Sequence, residues 1–261
     1  MSAADRPPIF EHLFVLGRPA GGKSEFIDFM KKCPADERAR TFGIGWFEEV
    51  DDFPWLWQAC VEDDGREGRG ERRLVSERSP EGYNITKPGF RRSLVARFNE
   101  TITAKYLVNP SFYDEGTLLI EFARGRGDGF RESLELFKPE ILRRGAILYI
   151  KVSFEESYRR NSARYKPGQK ESTLFHKVPD RDMYGFFRDN DWEEITGGVH
   201  DGWLGLAGIR VPFVSMTNEP ESTDPIVLRT RYAGALGRLL ELRTDTTRDG
   251  RRSGPAGRGH R

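Results

Sequence analysis

The stretch that most constrains this chain is Gly17-Arg18-Pro19-Ala20-Gly21-Gly22-Lys23-Ser24, a G-x-x-x-x-G-K-S pattern directly after a short apolar run. Glycines let the backbone curl until several N–H groups point at one anion, and a following helix adds its positive N-terminus. In such a loop the lysine, here Lys23, reaches the β- and γ-phosphates of a nucleotide. The next hydroxyl, Ser24, takes a place on Mg²⁺. The flanks agree. Residues 13–16 are continuously apolar, as a strand buried on both faces should be, and Phe26, Ile27, Phe29 and Met30 recur near helical spacing. Strand, glycine turn and helix in that order predict a phosphate-binding loop with all eight residues lining it.

Length and composition set the frame. The chain has 261 residues, enough for one large domain or two small ones. A charged fraction of 32% with a net charge of +1 excludes a strong bias toward polyanions. Arginine outnumbers lysine, and guanidinium groups suit bidentate phosphate binding. Cys33 and Cys60 form neither a metal-ligand spacing nor a disulfide framework. The first residues lack a signal-peptide core, and no apolar run approaches a membrane span. The expectation is a cytoplasmic protein that does not engage a membrane.

Five apolar runs, at 13–16, 41–46, 117–122, 146–152 and 211–216, read as strands. Helical patterns separate several of them, around 24–32, 90–106, 130–144, 154–165 and 226–243. The alternation predicts an α/β fold: a central, mostly parallel five-stranded sheet with helices on both faces. One domain would span residues 1–243. Long insertions at 47–110 and 153–195 are candidates for an acceptor-binding region and a lid. Residues 62–73 are charged and glycine-rich, and read as a mobile loop; residues 244–261 read as a disordered basic tail.

Candidate chemistry clusters at the strand ends. Asp51 and Asp52, with Glu48 and Glu49 before them, follow the second strand, at the edge where open α/β sheets bind ligands. Either aspartate could take a proton from a substrate hydroxyl or hold Mg²⁺ through water. Glu121 near the end of the third strand would sit on the water shell of a metal, with Asp128 as a weaker alternative. Arg124 and Arg126 follow on a glycine-rich turn and could grip a phosphate or carboxylate. Arg160 and Arg164 share a helix face after the fourth strand, with Arg159 offset. Lys170, His176, Lys177, Arg181 and Arg188 follow in a loop-rich stretch. Asn218, after the fifth strand, lies where a nucleotide base would be contacted. Trp46, Trp55 and Trp57 offer a stacking wall.

Together these residues resemble the P-loop kinase group, which includes nucleoside, nucleotide and small-metabolite kinases. The resemblance rests on Gly17–Ser24, the Asp51-Asp52-Phe53 after strand two, the Glu121-x-x-Arg124 of strand three and the arginine-bearing helix after strand four. It implies a three-layer P-loop NTPase fold and transfer of a phosphoryl group from ATP, with Mg²⁺, to a small acceptor; GTP is not excluded as the donor. In that group the acid after strand two acts as base or binds substrate, which maps onto Asp51 or Asp52. Lid arginines close over the phosphates, which maps onto Arg159, Arg160 and Arg164. The Asp-Gly-x-Pro-Arg of adenylate kinases is absent. Ser76-Glu77-Arg78-Ser79 echoes the Glu-Arg-Ser of deoxynucleoside kinases but precedes Glu121 by more than forty residues, and is read as coincidence. A switch GTPase lacks support: no Asn-Lys-x-Asp and no Asp-x-x-Gly stand at strand ends. The competing class is a P-loop ATPase coupled to a regulator or macromolecule. Nucleic acid is not an expected partner, the basic tail being the one feature that would touch it.

Overall fold

In a computed structural model, residues 6–164 and 177–252 are described. A six-stranded sheet runs in the order β2-β5-β1-β6-β8-β7. Its strands are β1 (His12–Gly17), β2 (Trp46–Asp51), β5 (Gly116–Phe122), β6 (Gly145–Lys151), β7 (Asp201–Leu206) and β8 (Ile209–Thr217). All pair in parallel except β7, which adds antiparallel to β8. The expected five-stranded parallel core is therefore present, widened by one strand. β7 escaped the sequence reading because only a two-residue turn, Ala207-Gly208, separates it from β8. Both turn residues have positive φ, the geometry of a tight hairpin.

The three layers follow from side-chain alternation along β1. Phe14 and Leu16 face one core with Val95, Phe98, Phe130 and Ile141 from the helices on that side. Leu13 and Val15 face the other core with Phe26, Met30, Tyr232 and Leu236. A strand covered on both faces has no polar side, which is why its sequence is a continuous apolar run. The helix Lys23–Lys32 and the C-terminal helix Pro225–Arg252 form the second layer. The latter continues past residue 243, where the sequence placed the start of a disordered tail; residues 253–261 lie outside the described residues.

Several other boundaries differ. The second strand lies at Trp46–Asp51 rather than 41–46, and residues up to Phe42 belong to the helix Ala35–Phe42. β2 is the edge of the sheet, so its acids are tolerated: Glu48 pairs with Lys105, and Glu49 pairs with Lys31 at 2.7 Å. The stretch 62–73 is not a loose loop. Its first part completes the helix Phe53–Gly68, and Arg73 binds Asp64 at 2.6 Å. Asp63 inside that helix collects the N–H groups of Leu74, Val75 and Ser76 at 2.7, 2.9 and 2.8 Å. Ser76–Ser79, outside any predicted strand, is β3, paired with β4 (Gly82–Ile85) in a separate hairpin. The helical stretch 90–106 divides into Phe90–Ser93, Val95–Ile102 and a π-turn Thr103–Leu107. The stretch 130–144 divides at Pro139, which cannot donate to a helix interior.

His12, fully buried in β1, donates from Nδ1 to the Ile141 carbonyl at 3.0 Å and accepts the Tyr113 hydroxyl at Nε2, 2.8 Å away. Burial, reinforced by Arg144 and Arg243, lowers its pKa to about 3 despite the Ile141 hydrogen bond. A folded pKa below the unfolded value makes its contribution complete above pH ~6.5 and lost as pH falls toward ~3. Going from pH 7 to pH 5 should remove about 2 kcal/mol of stability through this residue. Urea unfolding at both values checks this; the difference should shrink in His12→Gln, whose amide can replace both hydrogen bonds without titrating.

Candidate functional site

The glycine loop spans the gap between β1 and the helix Lys23–Lys32, at the C-terminal edge of the parallel strands. Gly22 begins that helix at φ 106°, and a Cβ there would collide with Nδ2 of Asn218. Only glycine fits that approach. Asn218, at the end of β8, donates from Nδ2 to the Gly21 carbonyl at 3.0 Å, while Arg160 donates to the Asn218 carbonyl at 2.7 Å. Asn218, expected beside a nucleotide base, is thus a brace behind the loop. Ser157 adds a second brace, donating to the Pro19 carbonyl at 2.7 Å. Lys23 is buried; its ammonium lies 3.1 Å from the Arg18 carbonyl and 3.8 Å from Glu121. Ser24 is exposed on the first helical turn.

Register brings the carboxylates to this spot. Val15 of β1 pairs with Glu121 of β5, and Glu121 pairs with Asp51 of β2. Asp51 and Asp52, indistinguishable by sequence, have different surroundings. Asp52 is buried and accepts from Arg124 at 2.6 Å. Arg124, 1% exposed, also donates to Ser133 (2.9 Å) and to the carbonyls of Ala123 (2.8 Å) and Arg91 (2.9 Å). Its guanidinium is therefore committed to the interior, and the expectation that it grips a substrate phosphate is corrected. Asp51 keeps one oxygen on the Phe53 N–H at 3.0 Å. Burial, then the negative charges of Asp52 and Glu121, raise its pKa to about 8 against the lowering pull of that N–H and Lys23. Burial raises Glu121 too; Lys23 opposes this, while Asp52 and Glu49 add to it.

The arginine helix Phe154–Arg164 divides similarly. Arg159 pairs with Glu156 at 2.7 Å and with Glu221. Arg160 is buried and holds Glu156 at 2.7 Å as well as the Asn218 carbonyl, with Nη1 left without a hydrogen-bond partner among the described residues, so both arginines already serve ion pairs within the fold. These two arginines drive the Glu156 pKa down to about 2. Arg164 bridges instead to Glu25, on the first turn after the glycine loop, at 3.2 Å, and its charge acts on Glu121. The tryptophans form no common wall: Trp46 meets Phe112, Trp55 meets Phe98, and Trp57 meets Tyr83.

The segment 177–187 falls in the stretch expected to form a lid, but its partners carried no local signal. The guanidinium of Arg18 donates to the Phe187 carbonyl, and the Arg126 N–H donates to the Phe186 carbonyl at 2.8 Å. On its other side Lys177 binds Glu81 at 2.7 Å, and Arg181 binds Glu77 at 2.6 Å. Asp182 pairs with the buried Arg91. The segment so ties the glycine loop to the β3–β4 hairpin. Lys170 and His176 lie outside the described residues. Asp128 is buried and accepts from the Arg92 N–H at 3.4 Å, and Arg126 pairs with Asp189. Arg188 is exposed. Among the described residues, no three acidic, histidine or cysteine side chains converge tightly enough to hold a metal alone. The hydroxyl of Ser24 and the carboxylate of Glu121 are hard oxygen donors of the kind Mg²⁺ prefers, and phosphate and water oxygens would complete its shell. Burial and the neighbouring negative charges, which raise the pKa values of both Glu121 and Asp51, are what a dication would offset.

No family model and no curated protein matches the chain. Solved structures with a similar course include a gluconokinase from Sinorhizobium meliloti, with TM-score 0.43, 12% identity, and 90% of this chain and 95% of that one covered. A sugar kinase from a Janibacter species follows at TM-score 0.40, 14% identity, 88% and 95% coverage. A chain of an RNA repair complex aligns at TM-score 0.31 and 14% identity over 66% of this chain and 43% of that one. Superpositions this loose say nothing about substrate. The α/β P-loop architecture rests on the sheet order and the loop geometry above, and no described helix is long and apolar enough to cross a membrane.

The two neighbouring aspartates should answer mutation in opposite directions. Removing one partner of a buried ion pair costs about 3–5 kcal/mol, so Asp52→Ala should destabilise strongly. A carboxyl whose folded pKa is raised contributes stability that is complete below pH ~4 and lost as pH rises through ~8. Asp51→Asn removes that loss, so it should stabilise the fold, and by more at pH 8 than at pH 5. Chemical denaturation of both variants at pH 5 and pH 8 checks the pair.

Proposed function

We propose that this protein is a P-loop phosphotransferase that moves the γ-phosphoryl group of ATP to a hydroxyl or phosphate of a small molecule. The observation that carries the reading is the pairing of Lys23 and Glu121 beside the glycine loop with Asp51, an acid without an ion-pair partner among the described residues because Arg124 is committed to its neighbour Asp52. The loop N–H groups and Lys23 hold the β- and γ-phosphates. Mg²⁺, when bound by Ser24, Glu121 and the phosphates, supplies charge neutralisation for the leaving group.

Asp51 sits one strand away from Glu121 in register and takes the acceptor proton. Burial and the neighbouring negative charges raise its proton affinity above that of an ordinary carboxylate, which favours the role of general base. Arg164 is the arginine of its helix that can turn from Glu25 toward the migrating charge, whereas Arg159 and Arg160 keep the helix and Asn218 in place. Arg18, bound to the carbonyl of Phe187, sets segment 177–187 over the loop. Catalysis in this scheme is positioning and charge stabilisation, with no covalent intermediate on the protein.

The test is ADP release with Mg²⁺ and ATP across nucleosides, nucleotides, sugars and sugar acids. Acceptor-dependent release is expected for one class. Asp51→Asn should then lower kcat by roughly 10²–10⁴ while leaving nucleotide binding intact. Hydrolysis that proceeds equally without any acceptor would assign the chain to the P-loop ATPases instead.

A further inference from the structure

A second concavity lies away from the glycine loop. It encloses about 540 Å³ between the helix Phe53–Gly68 and the helices Phe90–Ser93 and Val95–Ile102. Trp55, Ala59, Glu62, Arg66 and Arg69 line it at three- and four-residue intervals, so they share one helix face. The opposite face carries Trp57 and Asp64 to Tyr83 of the hairpin. Glu62 is ten residues beyond Asp52, or about 15 Å along the axis at 1.5 Å per residue. Its Glu62–Arg69 end therefore lies away from the carboxylates of the proposed transfer site, while Trp55 at its other end is one helical turn from Asp52, so the test must tell the two sites apart.

Three features define what it would hold. The base is apolar: Trp55, Val75 and Leu94, with the Trp55 ring 5.0 Å from Phe98. One wall is Leu74, 58% exposed although its backbone is fixed. The Asp63 carboxylate accepts its N–H together with those of Val75 and Ser76, so Leu74 cannot fold inward without breaking a buried cluster of hydrogen bonds. An apolar side chain held outward over a groove is preorganised for an apolar partner. The rim is cationic. Arg66 and Arg69 share Glu71, at 3.1 and 2.8 Å, and the Arg97 guanidinium has no ion pair or hydrogen bond among the described residues. The opposing acid, Glu62, accepts from Gln58 at 3.0 Å.

We infer that this cavity is a binding site for an amphipathic anion, a ligand with an aromatic or short aliphatic body and one carboxylate, sulfonate or phosphate. Its volume falls among small-ligand pockets, which run to several hundred Å³. The body lies on Trp55 and against Leu74, and the anionic group meets Arg97, with the free donors of Arg66 and Arg69 beside it. An occupant bears on Leu74 and hence on the hairpin, whose Glu77 and Glu81 grip segment 177–187.

Anilinonaphthalene sulfonate, an aromatic anion, is the probe. Titration of the full chain, read by dye emission and quenching of tryptophan fluorescence, should saturate at one site. Arg97→Glu and Leu74→Ser both alter exposed side chains, and each should weaken binding about tenfold or more, equivalent to about 1.4 kcal/mol. Lys23→Ala should leave it unchanged. No saturable binding, equal binding by both rim variants, or loss of binding in Lys23→Ala would each overturn the assignment.

Discussion

The buried pair between Asp52 and Arg124 is the interaction on which the rest of the site depends. It joins the end of β2 to the turn after β5, and through Ser133 and the Arg91 carbonyl it gathers two further helices around one guanidinium. Two charges leave water at a cost of several kcal/mol each, recovered only because every contact is closed. The pair's larger consequence lies next door. With Arg124 committed to Asp52, Asp51 has no ion-pair partner among the described residues, and its proton affinity rises under burial and the negative charges of Asp52 and Glu121. One ion pair so turns two equivalent-looking residues into a support and a candidate base.

The glycine loop is held by a comparable division of labour. Asn218 and Ser157 fasten its carbonyls from behind, and Gly22 has no Cβ because Asn218 occupies that space. This leaves N–H groups toward the front, where an anion would sit. Segment 177–187 then connects Arg18 of the loop to the acids of the β3–β4 hairpin. A shift of Phe187 would be felt at both ends. Gly125 shows how close that contact is, since a Cβ there would overlap the Phe186 carbonyl.

How much of this was legible in the sequence depends on how far each residue's role reaches along the chain. The glycine loop, its strand and its helix were readable because their signals are local: apolar runs, glycines and a lysine at fixed spacing. Glu121 and the Asp51-Asp52 pair were readable as strand-end acids. Which aspartate was free was not, because that depends on Arg124, seventy-two residues later. The same limit explains Arg160 and Asn218, expected at a nucleotide and found bracing each other. The stretch 62–73 reads as a loop by composition, yet Asp63 and Arg73 organise it through contacts that only the folded chain creates. Arg91 and Asp182 carried no motif at all.

The account stands on a nucleotide being held by the loop through Lys23 and by the oxygens of Ser24 and Glu121. The most direct measurement is calorimetric titration of the full chain with ATP, with and without Mg²⁺, beside the same titration of Lys23→Ala and Glu121→Gln. The account predicts one saturating heat that strengthens with Mg²⁺, disappears in Lys23→Ala, and loses its Mg²⁺ dependence in Glu121→Gln. Binding that is equally strong in Lys23→Ala, or absent from the unaltered protein, would contradict it.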